Sequence, residues 1–538
     1  MNKHELQDLG GGTVSGLLAS RAAWAPDNVA LMFEQQSYTF GEMDRQATAT
    51  GAGLMALGLK QGDSAAIFMS NRPEHLFASH GVNRAGLVQV SVNTAYKGSF
   101  LQFALQHSDS KVLITEARLA EALLTLAELP PALRAIVFVD GVPPALDAMP
   151  AGEVRLLSWE DMLASASDAP EFPVLQPQDT CAISFTSGTT GGSKGVVSPN
   201  LQGVVMGREA AVAFGLTPRD RVYTCMPLFH GMAQVTTGVA ALYAGATMVL
   251  SRRFSVTQFW EEIRASGATQ ASALGSMLHM LMSAPPSDQD REHRLTRIFA
   301  APAPADVLYR FERRYNVHIV EGYGSTEIKN VLYNPLEGRR IGSIGLPTAS
   351  SIIEIHDENG ERLPPGQVGE IVYRPRIPNI MLKRYHREAE KTLENMHGLW
   401  WHTGDLGSQD DDGFFYFFDR KSDALRRRGE NISSPEVEAV LAAFPGVRDA
   451  AAVGVASDLG ESEVLVVLEV PDAAGFDFIS LFRHCVEHMP RFMVPRYYRL
   501  APALPRTPTG KVQKIGLRQA GVTVDTWDHV AHGLTVPR

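Results

Sequence analysis

The sequence predicts an α/β protein with a large N-terminal domain of stacked α/β sheets, a small β-barrel subdomain and a smaller α+β C-terminal domain. Three observations lead to this prediction. Short apolar runs alternate with helical patterns over residues 1–340, as expected of sheets covered by helices. From residue 341 onward, short strand patterns lie between clusters of turn residues. A charged segment at residues 419–423 then precedes a final stretch with its own helical pattern.

The first region, residues 1–170, combines one clear helix start with several strand patterns. Thr39 and Glu42 have the spacing of a capping box, which opens a helix that carries Met43, Leu54 and Leu57. Short apolar runs predict buried strands at residues 65–69, 88–92, 112–114 and 136–139.

The second region, residues 171–340, repeats this alternation with polar loops at the strand ends. Apolar runs predict strands at residues 182–185, 222–226, 246–250, 298–300 and 317–320. Each run is followed by a loop of small or polar residues. Ligands of open α/β sheets bind beyond the carboxyl ends of the strands, so we expect the functional site along this edge.

The remaining chain divides into two units. Strand patterns at residues 352–355, 369–373 and 414–418 predict a small antiparallel or barrel unit. A helix starts at Ser434 with proline in its first turn, and its apolar face comprises Val437, Val440, Leu441 and Phe444. We therefore predict an N-terminal domain over residues 1–419 (subdomains 1–170, 171–340 and 341–419), a hinge at 420–422 and a C-terminal domain at 423–538.

Composition and charge argue against several functional classes. Hydrophobic residues make up 45% and charged residues 20%, and the net charge of −10 argues against a nucleic-acid-binding surface. Cys181, Cys225 and Cys485 lack the paired spacing of a disulfide framework or a zinc site. The N-terminus lacks an apolar signal region, and no uncharged apolar run approaches ~18 residues, so we expect a cytoplasmic protein without a membrane span. The sequence is compatible with a homodimer.

A glycine- and hydroxyl-rich loop at residues 186–195 follows one of the strand patterns directly. Its backbone N–H groups, hydroxyls and one lysine can surround a polyphosphate. It is not a Walker A loop, because Ser193 precedes the lysine and Gly195 follows it. A flexible linker is the alternative, although a linker needs neither the strand nor the lysine. The predicted phosphate ligands are Thr186, Ser187, Gly188, Thr189, Thr190 and Lys194.

Five segments after this loop resemble, in order and spacing, motifs of the adenylate-forming superfamily. This superfamily contains acyl-CoA synthetases, peptide-synthetase adenylation domains and luciferases. The five segments are residues 227–230 (PLFH), 323–327 (YGSTE), 401–405 (WHTGD), 419–420 (DR) and 505–511 (PRTPTGK). Residues 428–433 and 284–288 carry a closer resemblance, to acyl-CoA ligases of the crotonobetaine/carnitine–CoA ligase type.

The resemblance implies a reaction in two steps with ATP, Mg²⁺ and coenzyme A. A carboxylic acid and ATP give an acyl-adenylate and pyrophosphate, and a mobile C-terminal lid then allows acyl transfer to the thiol of coenzyme A. Cations must offset the repulsion between the carboxylate and the α-phosphate, and Lys511 is the implied cation. Glu327 would hold Mg²⁺, and Thr326 would bind the α-phosphate. The alternatives are an exposed surface lysine and a glutamate that complements a helix dipole.

The resemblance also assigns the nucleotide and acyl sites. Tyr323 would stack on adenine, and Asp405 would accept hydrogen bonds from both ribose hydroxyls. We expect Asp405 to be solvated when no nucleotide is bound. The further implied contacts are Gly324, Ala301 and Pro302 at the nucleotide, Arg420 at ribose or phosphate, Gly429 at the pantetheine arm and His230 at the mouth of the acyl pocket. The alternatives are a core tyrosine, salt-bridged surface groups and a structural histidine.

Two departures from the superfamily pattern concern the moving parts. Ser193 stands in place of a proline in the phosphate loop, so we expect a more mobile loop. Ser422 stands where the hinge usually has aspartate or lysine, so we expect a changed balance between domain orientations. Function should survive both departures.

Three segments are expected to line the acid pocket: residues 231–234, 274–279 and 300–302. They are apolar, rich in methionine and free of carboxylates, and methionine suits irregular apolar groups. None offers an anion to a quaternary ammonium. The sequence therefore favours an apolar or aromatic acid over carnitine.

Two other functions are compatible with these motifs. The adenylate could pass to a carrier-protein thiol, an amine or oxygen, although the lack of an appended carrier domain favours free coenzyme A. A non-catalytic nucleotide-binding protein is the third alternative, and the intact set of Lys511, Glu327 and Asp405 argues against it.

Overall fold

The structure is a computed structural model that describes part of the chain in detail. The described residues are 3–146, 154–166, 171–186, 193–301, 303, 305–420, 425–427, 430–432, 434–457, 462–471, 473–505, 512 and 514–537.

The strands of these residues are numbered here in chain order. They are β1 (Val29–Phe33), β2 (Gln36–Thr39), β3 (Ser64–Phe68), β4 (Val88–Ser91), β5 (Ser110–Thr115), β6 (Ala135–Phe138), β7 (Arg155–Ser158), β8 (Thr180–Thr186), β9 (Lys194–Pro199), β10 (Arg221–Thr224), β11 (Thr247–Leu250), β12 (Gln270–Ala273), β13 (Arg297–Ala300), β14 (His318–Ser325), β15 (Lys329–Tyr333), β16 (Leu346–Pro347), β17 (Ser351–His356), β18 (Gly369–Pro375), β19 (Arg384–Tyr385), β20 (Met396–His397), β21 (Trp400–Gln409), β22 (Phe415–Arg420), β23 (Leu425–Arg427), β24 (Glu430–Ile432), β25 (Asp449–Ala456), β26 (Ser462–Glu469), β27 (Tyr497–Ala501) and β28 (Trp527–Asp528).

The α-helices are numbered in the same way. They are α1 (Lys3–Asp8), α2 (Val14–Trp24), α3 (Phe40–Ala56), α4 (Pro73–Arg84), α5 (Gly98–His107), α6 (Ala120–Leu123), α7 (Trp159–Ala164), α8 (Asn200–Phe214), α9 (Ala240–Ala244), α10 (Phe259–Ser266), α11 (Gly275–Ser283), α12 (Ala305–Tyr315), α13 (Ala389–Asn395), α14 (Ser434–Ala442), α15 (Phe478–His488) and α16 (Lys514–Ala520). A π-helix covers Met232–Val239, and short 3₁₀ turns lie at Gly10–Gly12, Ala117–Leu119, Pro144–Leu146 and Asp288–Arg291.

Two large sheets form the N-terminal part, as the sequence predicts. One has the order β16-β15-β14-β13-β12-β10-β11-β1-β2, and the other has the order β19-β9-β8-β4-β3-β5-β6-β7. The central pairs of both sheets are parallel. The edge pairs are antiparallel, except for β6 with β7, which is parallel. Leu31 and Val222 of the first sheet lie in the same hydrophobic cluster as Ile67 and Val112 of the second. The two sheets thus share one core, and their strand ends converge on one region.

The predicted capping box opens α3 as expected. The backbone N–H of Glu42 donates to Thr39 Oγ1 at 3.2 Å, and the Glu42 carboxylate accepts from the backbone N–H of Thr39 at 2.8 Å. Two otherwise unsatisfied backbone donors at the helix start are therefore paired.

One strand differs from its prediction. The apolar pattern ends at Val320, but β14 continues to Ser325, so the glycine-rich segment predicted as a loop is strand. Two glycines allow this tight pairing with β15. A Cβ at Gly324 would lie 1.8 Å from the carbonyl oxygen of Lys329, and one at Gly322 would lie 2.9 Å from that of Leu332.

The third unit is antiparallel, with the order β17-β18-β21-β20, and β22 pairs with β21. Among the described residues, its end strands β17 and β20 have no pairing with each other. The C-terminal unit has a four-stranded sheet, β25-β26-β27-β28, and a separate core that includes α14 and α15. The structure thus confirms a large N-terminal part of sheets and a small α+β C-terminal part. In the described parts of the chain, no helix is both long enough and apolar enough to cross a membrane.

Candidate active site

The phosphate loop leaves β8 and returns as β9, and its neck is closed by hydrogen bonds. Thr186 pairs with Lys194 across the two strands, and Ser193 Oγ donates to the carbonyl oxygen of Thr186 at 2.8 Å. Ser193, at the position where the superfamily pattern has proline, therefore joins the two ends of the loop through its hydroxyl. The Lys194 ammonium lies 4.8 Å from the ring centroid of Tyr385. Burial lowers the pKa of Lys194, and the nearby Glu327 carboxylate opposes that shift.

Glu327 lies on the turn between β14 and β15, and several hydrogen bonds hold it. Tyr385 Oη donates to Glu327 Oε1 at 2.8 Å. The carbonyl oxygen of Glu327 accepts from Gln202 Nε2 and from the backbone N–H of Leu382, each at 2.8 Å. Tyr385 therefore contacts both Lys194 and Glu327, which are far apart in sequence. The turn presents a fixed carboxylate next to the lysine of the phosphate loop.

A single carboxylate here fits Mg²⁺ in the manner of nucleotide sites. Mg²⁺ in such sites is held by one or two carboxylates, and phosphate oxygens and water complete its octahedron. Within the described ranges, no cluster of three or more His, Cys, Asp or Glu side chains could hold a metal ion without help. Glu327 would therefore hold the ion together with ligand phosphates. Thr326 lies beside it, and its carbonyl oxygen accepts from Lys329 Nζ at 2.9 Å.

Asp405 and Tyr323 form a buried pair. Tyr323 Oη donates to Asp405 Oδ2 at 2.6 Å, and the two residues are 8% and 3% exposed. The expectation that Asp405 is solvated in the free protein is therefore wrong. The reason is the pairing of β14 with β15 and the path of β21, which place the tyrosine hydroxyl directly against the carboxylate. The Tyr323 ring also lies 6.4 Å from the ring of Phe417, centroid to centroid.

A second carboxylate supports the part of β21 that carries Asp405. Glu370 Oε1 accepts from the backbone N–H of Gly404 at 3.0 Å, and Glu370 Oε2 lies 3.2 Å from His402 Nδ1. Thr403 Oγ1 accepts from the backbone N–H of Asp405 at 3.1 Å. Gly404 has a φ of +73°, which favours glycine at this irregular position of β21. Sequence reasoning missed Glu370, because only the register of β18 against β21 brings it here.

His230 meets the C-terminal unit. His230 Nε2 lies 3.0 Å from Glu430 Oε1, and Asn93 Nδ2 donates to Glu430 Oε2 at 3.5 Å. A further contact joins the two units nearby, because Lys97 Nζ donates to the carbonyl oxygen of Val486 at 2.6 Å. The histidine predicted at the acyl pocket is thus oriented by a carboxylate from the other unit, a role that its sequence motif does not reveal.

The loop before His230 is fixed by a buried asparagine that the sequence did not single out. Asn71 Nδ2 donates to the carbonyl oxygens of Met226 and Ser251, each at 2.9 Å. Asn71 Oδ1 accepts from the backbone N–H of Leu228 at 2.8 Å. Because Asn71 follows β3 while the other residues follow β10 and β11, it ties the ends of the two sheets together.

Two cavities lie on either side of Phe229, which lines both. An open cleft of about 1100 Å³ is also lined by His230, Leu274, Met277 and Glu430. Four arginines line this cleft as well: Arg72, Arg118, Arg252 and Arg253. An inner cavity of about 120 Å³ is lined by Gly231, Gln234 and Lys329, among others. The segments 231–234 and 274–279, expected in one acid pocket, therefore contribute to two cavities.

Several predicted site residues lie outside the described residues. They are Ser187, Gly188, Thr189, Thr190, Pro302, Gly429 and Lys511, together with Lys421 and Ser422 of the predicted hinge region. For Arg420, the backbone is described and pairs with Asp405 across β21 and β22. Gly324 lies in β14 next to Tyr323, and Ala301 packs beside a small cluster that contains Phe299 and Tyr333. The structure thus brings Lys194, Glu327 and Thr326 together at one end of the site, and Tyr323 and Asp405 at another.

Comparison with known proteins agrees with this geometry. Residues 18–385 match the AMP-binding enzyme family, and residues 436–511 match the AMP-binding enzyme C-terminal domain. The chain is 31% identical to the sulfoacetate–CoA ligase of Cupriavidus necator, over 94% of this chain and 97% of that protein. It is 30% identical to the crotonobetaine/carnitine–CoA ligase of Salmonella arizonae, over 91% of this chain and 96% of that protein.

Solved structures of one enzyme, the o-succinylbenzoate CoA synthetase of Bacillus subtilis, are also similar. The double-mutant form bound with a product analogue gives a TM-score of 0.80 at 26% identity, covering 94% of this chain and 98% of that chain. The same enzyme in complex with AMP gives 0.65 at 27% identity, covering 94% and 97%. The family match over most of the chain, supported by relatives of similar length, shows that this protein belongs to the AMP-binding enzyme family.

Proposed function

We propose that this protein is an AMP-forming acyl-CoA ligase, which activates a carboxylic acid with ATP and transfers the acyl group to coenzyme A. The proposal rests on one observation: the side chain of Tyr385 contacts both the Lys194 ammonium, through its ring, and the Glu327 carboxylate, through its hydroxyl. A cation of the phosphate loop and a carboxylate suited to Mg²⁺ belong together where a polyphosphate is bound. Such groups offset the negative charge that opposes carboxylate attack on the α-phosphate.

The nucleotide would lie between this cluster and the Tyr323–Asp405 pair. The loop residues 186–190 and Lys194 would bind the phosphates, Thr326 the α-phosphate, and Glu327 the Mg²⁺ ion. When bound, Mg²⁺ would neutralise phosphate charge and orient the leaving pyrophosphate. Asp405 would accept hydrogen bonds from the ribose hydroxyls, with its carboxylate held by the tyrosine hydroxyl. Adenine would stack near Tyr323, beside Gly324, Ala301 and Pro302, and Arg420 would contact the ribose or phosphate.

Lys511 would supply the cation of the first step and then withdraw. We place the pivot at residues 420–422, between an N-terminal domain of residues 1–419 and a C-terminal lid of residues 423–538. This structure has a higher TM-score to the synthetase form with a product analogue than to the same enzyme in complex with AMP. This difference favours the domain orientation of the second step, acyl transfer to coenzyme A, for this structure. The contact of His230 with Glu430 belongs to that orientation.

Coenzyme A would enter through the open cleft that ends at His230 and Glu430. The cleft has a volume of about 1100 Å³, and its arginines suit the phosphates of a nucleotide. Gly429, adjacent to Glu430, would leave room for the pantetheine chain. These features favour free coenzyme A over a carrier protein or an amine as the acceptor. We propose a cytoplasmic location, and a homodimer is compatible with the proposal.

A two-stage assay tests the proposed function. Pyrophosphate exchange into ATP is first measured with a panel of carboxylic acids, and coenzyme A is then added to the active mixtures. We expect acid-dependent exchange, followed by thioester and AMP formation when coenzyme A is present. Exchange without thioester formation would favour another acceptor, which a carrier-protein thiol or an amine would then reveal. No exchange with any acid, despite measurable ATP binding, would refute the ligase.

A further inference from the structure

A chain of side-chain amides ends in the wall of the inner cavity. Asn83 Nδ2 donates to Gln89 Oε1 at 3.2 Å, and Gln89 Nε2 donates to Gln234 Oε1 at 3.2 Å. We call these three residues the amide relay. Asn83 Nδ2 also donates to the carbonyl oxygen of Ser79 at 2.7 Å, and Gln89 Nε2 donates to Ser91 Oγ at 3.0 Å. These contacts fix the direction of the relay, so that Gln234 turns its oxygen toward Gln89 and its NH₂ group away.

The NH₂ group at the end of the relay is buried without a partner. Among the described residues, Gln234 Nε2 has no hydrogen-bond acceptor. Proteins rarely leave a buried donor unpaired, since its desolvation is then uncompensated. The same cavity is lined by other residues with a buried polar atom that lacks a partner among the described residues: Ser79 Oγ, His80 Nδ1, Ser198 Oγ and Gln202 Oε1. Such a concentration in one cavity points to a ligand with hydrogen-bonding atoms.

The position of Gln234 connects this donor to the active site. Its backbone N–H donates to the carbonyl oxygen of His230 at 3.2 Å, so it lies one helical turn beyond that histidine. It belongs to the π-helix at Met232–Val239, and π-helical segments are frequent at functional sites. Space is open beside it, because a Cβ added at Gly231 would have no heavy atom within 4 Å. Phe229, which also lines the cleft, separates the two cavities.

We propose that Gln234 selects the acid substrate by donating a hydrogen bond to an acceptor atom on the body of that acid. This proposal rests on the proposed ligase function and extends it to the substrate class. The inner cavity of about 120 Å³ is a little smaller than a ~150 Å³ cavity that binds benzene. Most of its remaining wall is apolar, including Leu31, Phe40, Met43 and Met248. The substrate class is therefore a compact or ring-containing carboxylic acid with a hydroxyl, oxo, ether or ring-nitrogen acceptor away from its carboxylate.

The selectivity follows from the cost of leaving the donor unpaired. An acid that carries the acceptor forms a hydrogen bond with the buried NH₂ group of Gln234. An acid of the same shape without the acceptor places apolar atoms against this group, which then stays without a hydrogen bond. That difference corresponds to about a 10- to 100-fold difference in kcat/KM. A purely apolar cavity would instead disfavour the acid with the added hydroxyl, so the direction of the preference distinguishes the two kinds of cavity.

Matched pairs of acids test the proposal. Each pair shares a carbon skeleton and differs only in the acceptor, such as cyclohexanecarboxylate with its oxo derivatives, or benzoate with its hydroxy derivatives. Acid-dependent pyrophosphate exchange gives kcat/KM for the wild type, for Gln234→Met and for a control variant, Gln106→Met. Gln106 lies on α5, and its side-chain amide donates to the Glu128 carboxylate at 3.3 Å. We expect the wild type and the control to prefer one acceptor-bearing acid by about tenfold or more. In Gln234→Met this preference should fall to near parity, through loss of activity toward that acid only.

Two results would overturn the proposal. One is a wild type without preference across all pairs, and the other is an equal loss for both members of a pair in Gln234→Met. The second result would place the amide on the carboxylate that all acids share, or give it a structural role. If Gln234→Met does not fold, Gln89→Met replaces it, because that change leaves the donor but removes the group that orients it. The preference should then fall as well. A lack of exchange with every acid would instead refute the ligase function.

Discussion

Replacing Asp405 with alanine tests the proposed ribose contact and the stability of the fold together, because this carboxylate is buried against Tyr323. The change removes the acceptor that Tyr323 Oη reaches at 2.6 Å, in a pair of residues only 8% and 3% exposed. Leaving one buried hydroxyl without this acceptor costs about 1–3 kcal/mol of the free energy of unfolding. Asp405→Ala should therefore shift the denaturant midpoint downward by a measurable amount, with the m-value unchanged.

The effect on ATP should be larger. A carboxylate that accepts two hydrogen bonds from ribose hydroxyls contributes about 1.5–3 kcal/mol through each of them. Loss of both corresponds to at least about a 100-fold weaker ATP affinity. Isothermal titration of the folded variant with ATP measures this directly, at a temperature well below its midpoint of unfolding.

Tyr323→Phe is the matched control. It removes the hydroxyl but keeps the carboxylate and the whole ring, so its stability loss should resemble that of Asp405→Ala. Its ATP affinity should fall much less, because the ribose ligand remains. The double variant measures the coupling of the two groups. If Asp405→Ala loses stability but binds ATP within about twofold of Tyr323→Phe, the carboxylate is structural and the ribose assignment is wrong.

Two further changes test other parts of the site, and a third tests the stability of β14 through its buried Glu321. Lys511→Ala should abolish adenylation but spare thioester formation from a supplied acyl-adenylate, and equal loss of both half-reactions would contradict its role. Ser422→Pro should fix φ at the hinge, so that rapid-quench measurements show adenylate formation but a thioester step slower by orders of magnitude; wild-type rates in both steps would place the pivot elsewhere. Burial raises the pKa of Glu321 from 4.5 to about 7. The folded protein thus keeps a proton that the unfolded chain loses, and stability should fall by about 3 kcal/mol as pH rises from 4.5 to 7. Glu321→Gln should flatten this dependence in urea titrations at pH 5 and pH 8, and an unchanged slope would show that another group titrates.

The sequence was sufficient for the sheets and for the activating chemistry, because both depend on local patterns. Apolar runs located the parallel strands, and short motifs predicted roles for Lys194, Glu327 and Asp405 that stay predictions. Contacts between distant segments could not be read in this way. The burial of Asp405 depends on Tyr323, which comes from another sheet. The support from Glu370 depends on the register of β18 against β21.

The identity of the acid substrate was the least predictable feature, because it too depends on contacts between distant segments. Apolar composition in segments 231–234 and 274–279 suggested one apolar pocket, but the fold directs these segments to two cavities. Gln234, which we propose to select the acid, lines the inner cavity. The orientation of Gln234 is set by Gln89, which lies on β4, far away in sequence, and has no recognisable motif. Composition therefore described the wall of the cavity but could not identify its hydrogen-bond donor.

In the proposed mechanism, the pair of His230 and Glu430 helps one site to serve two steps. A C-terminal unit that moves as one body can hold Glu430 against His230, or bring Lys511 to the α-phosphate, but not both. The pair is partly solvated, with side chains 34% and 18% exposed, so it contributes only about 0–1 kcal/mol. A contact this weak can orient the histidine while coenzyme A enters and yet break when ATP favours the other orientation. A stronger interdomain bridge would hold the enzyme in the second step, since a ligand shifts such an equilibrium only by its difference in affinity for the two states.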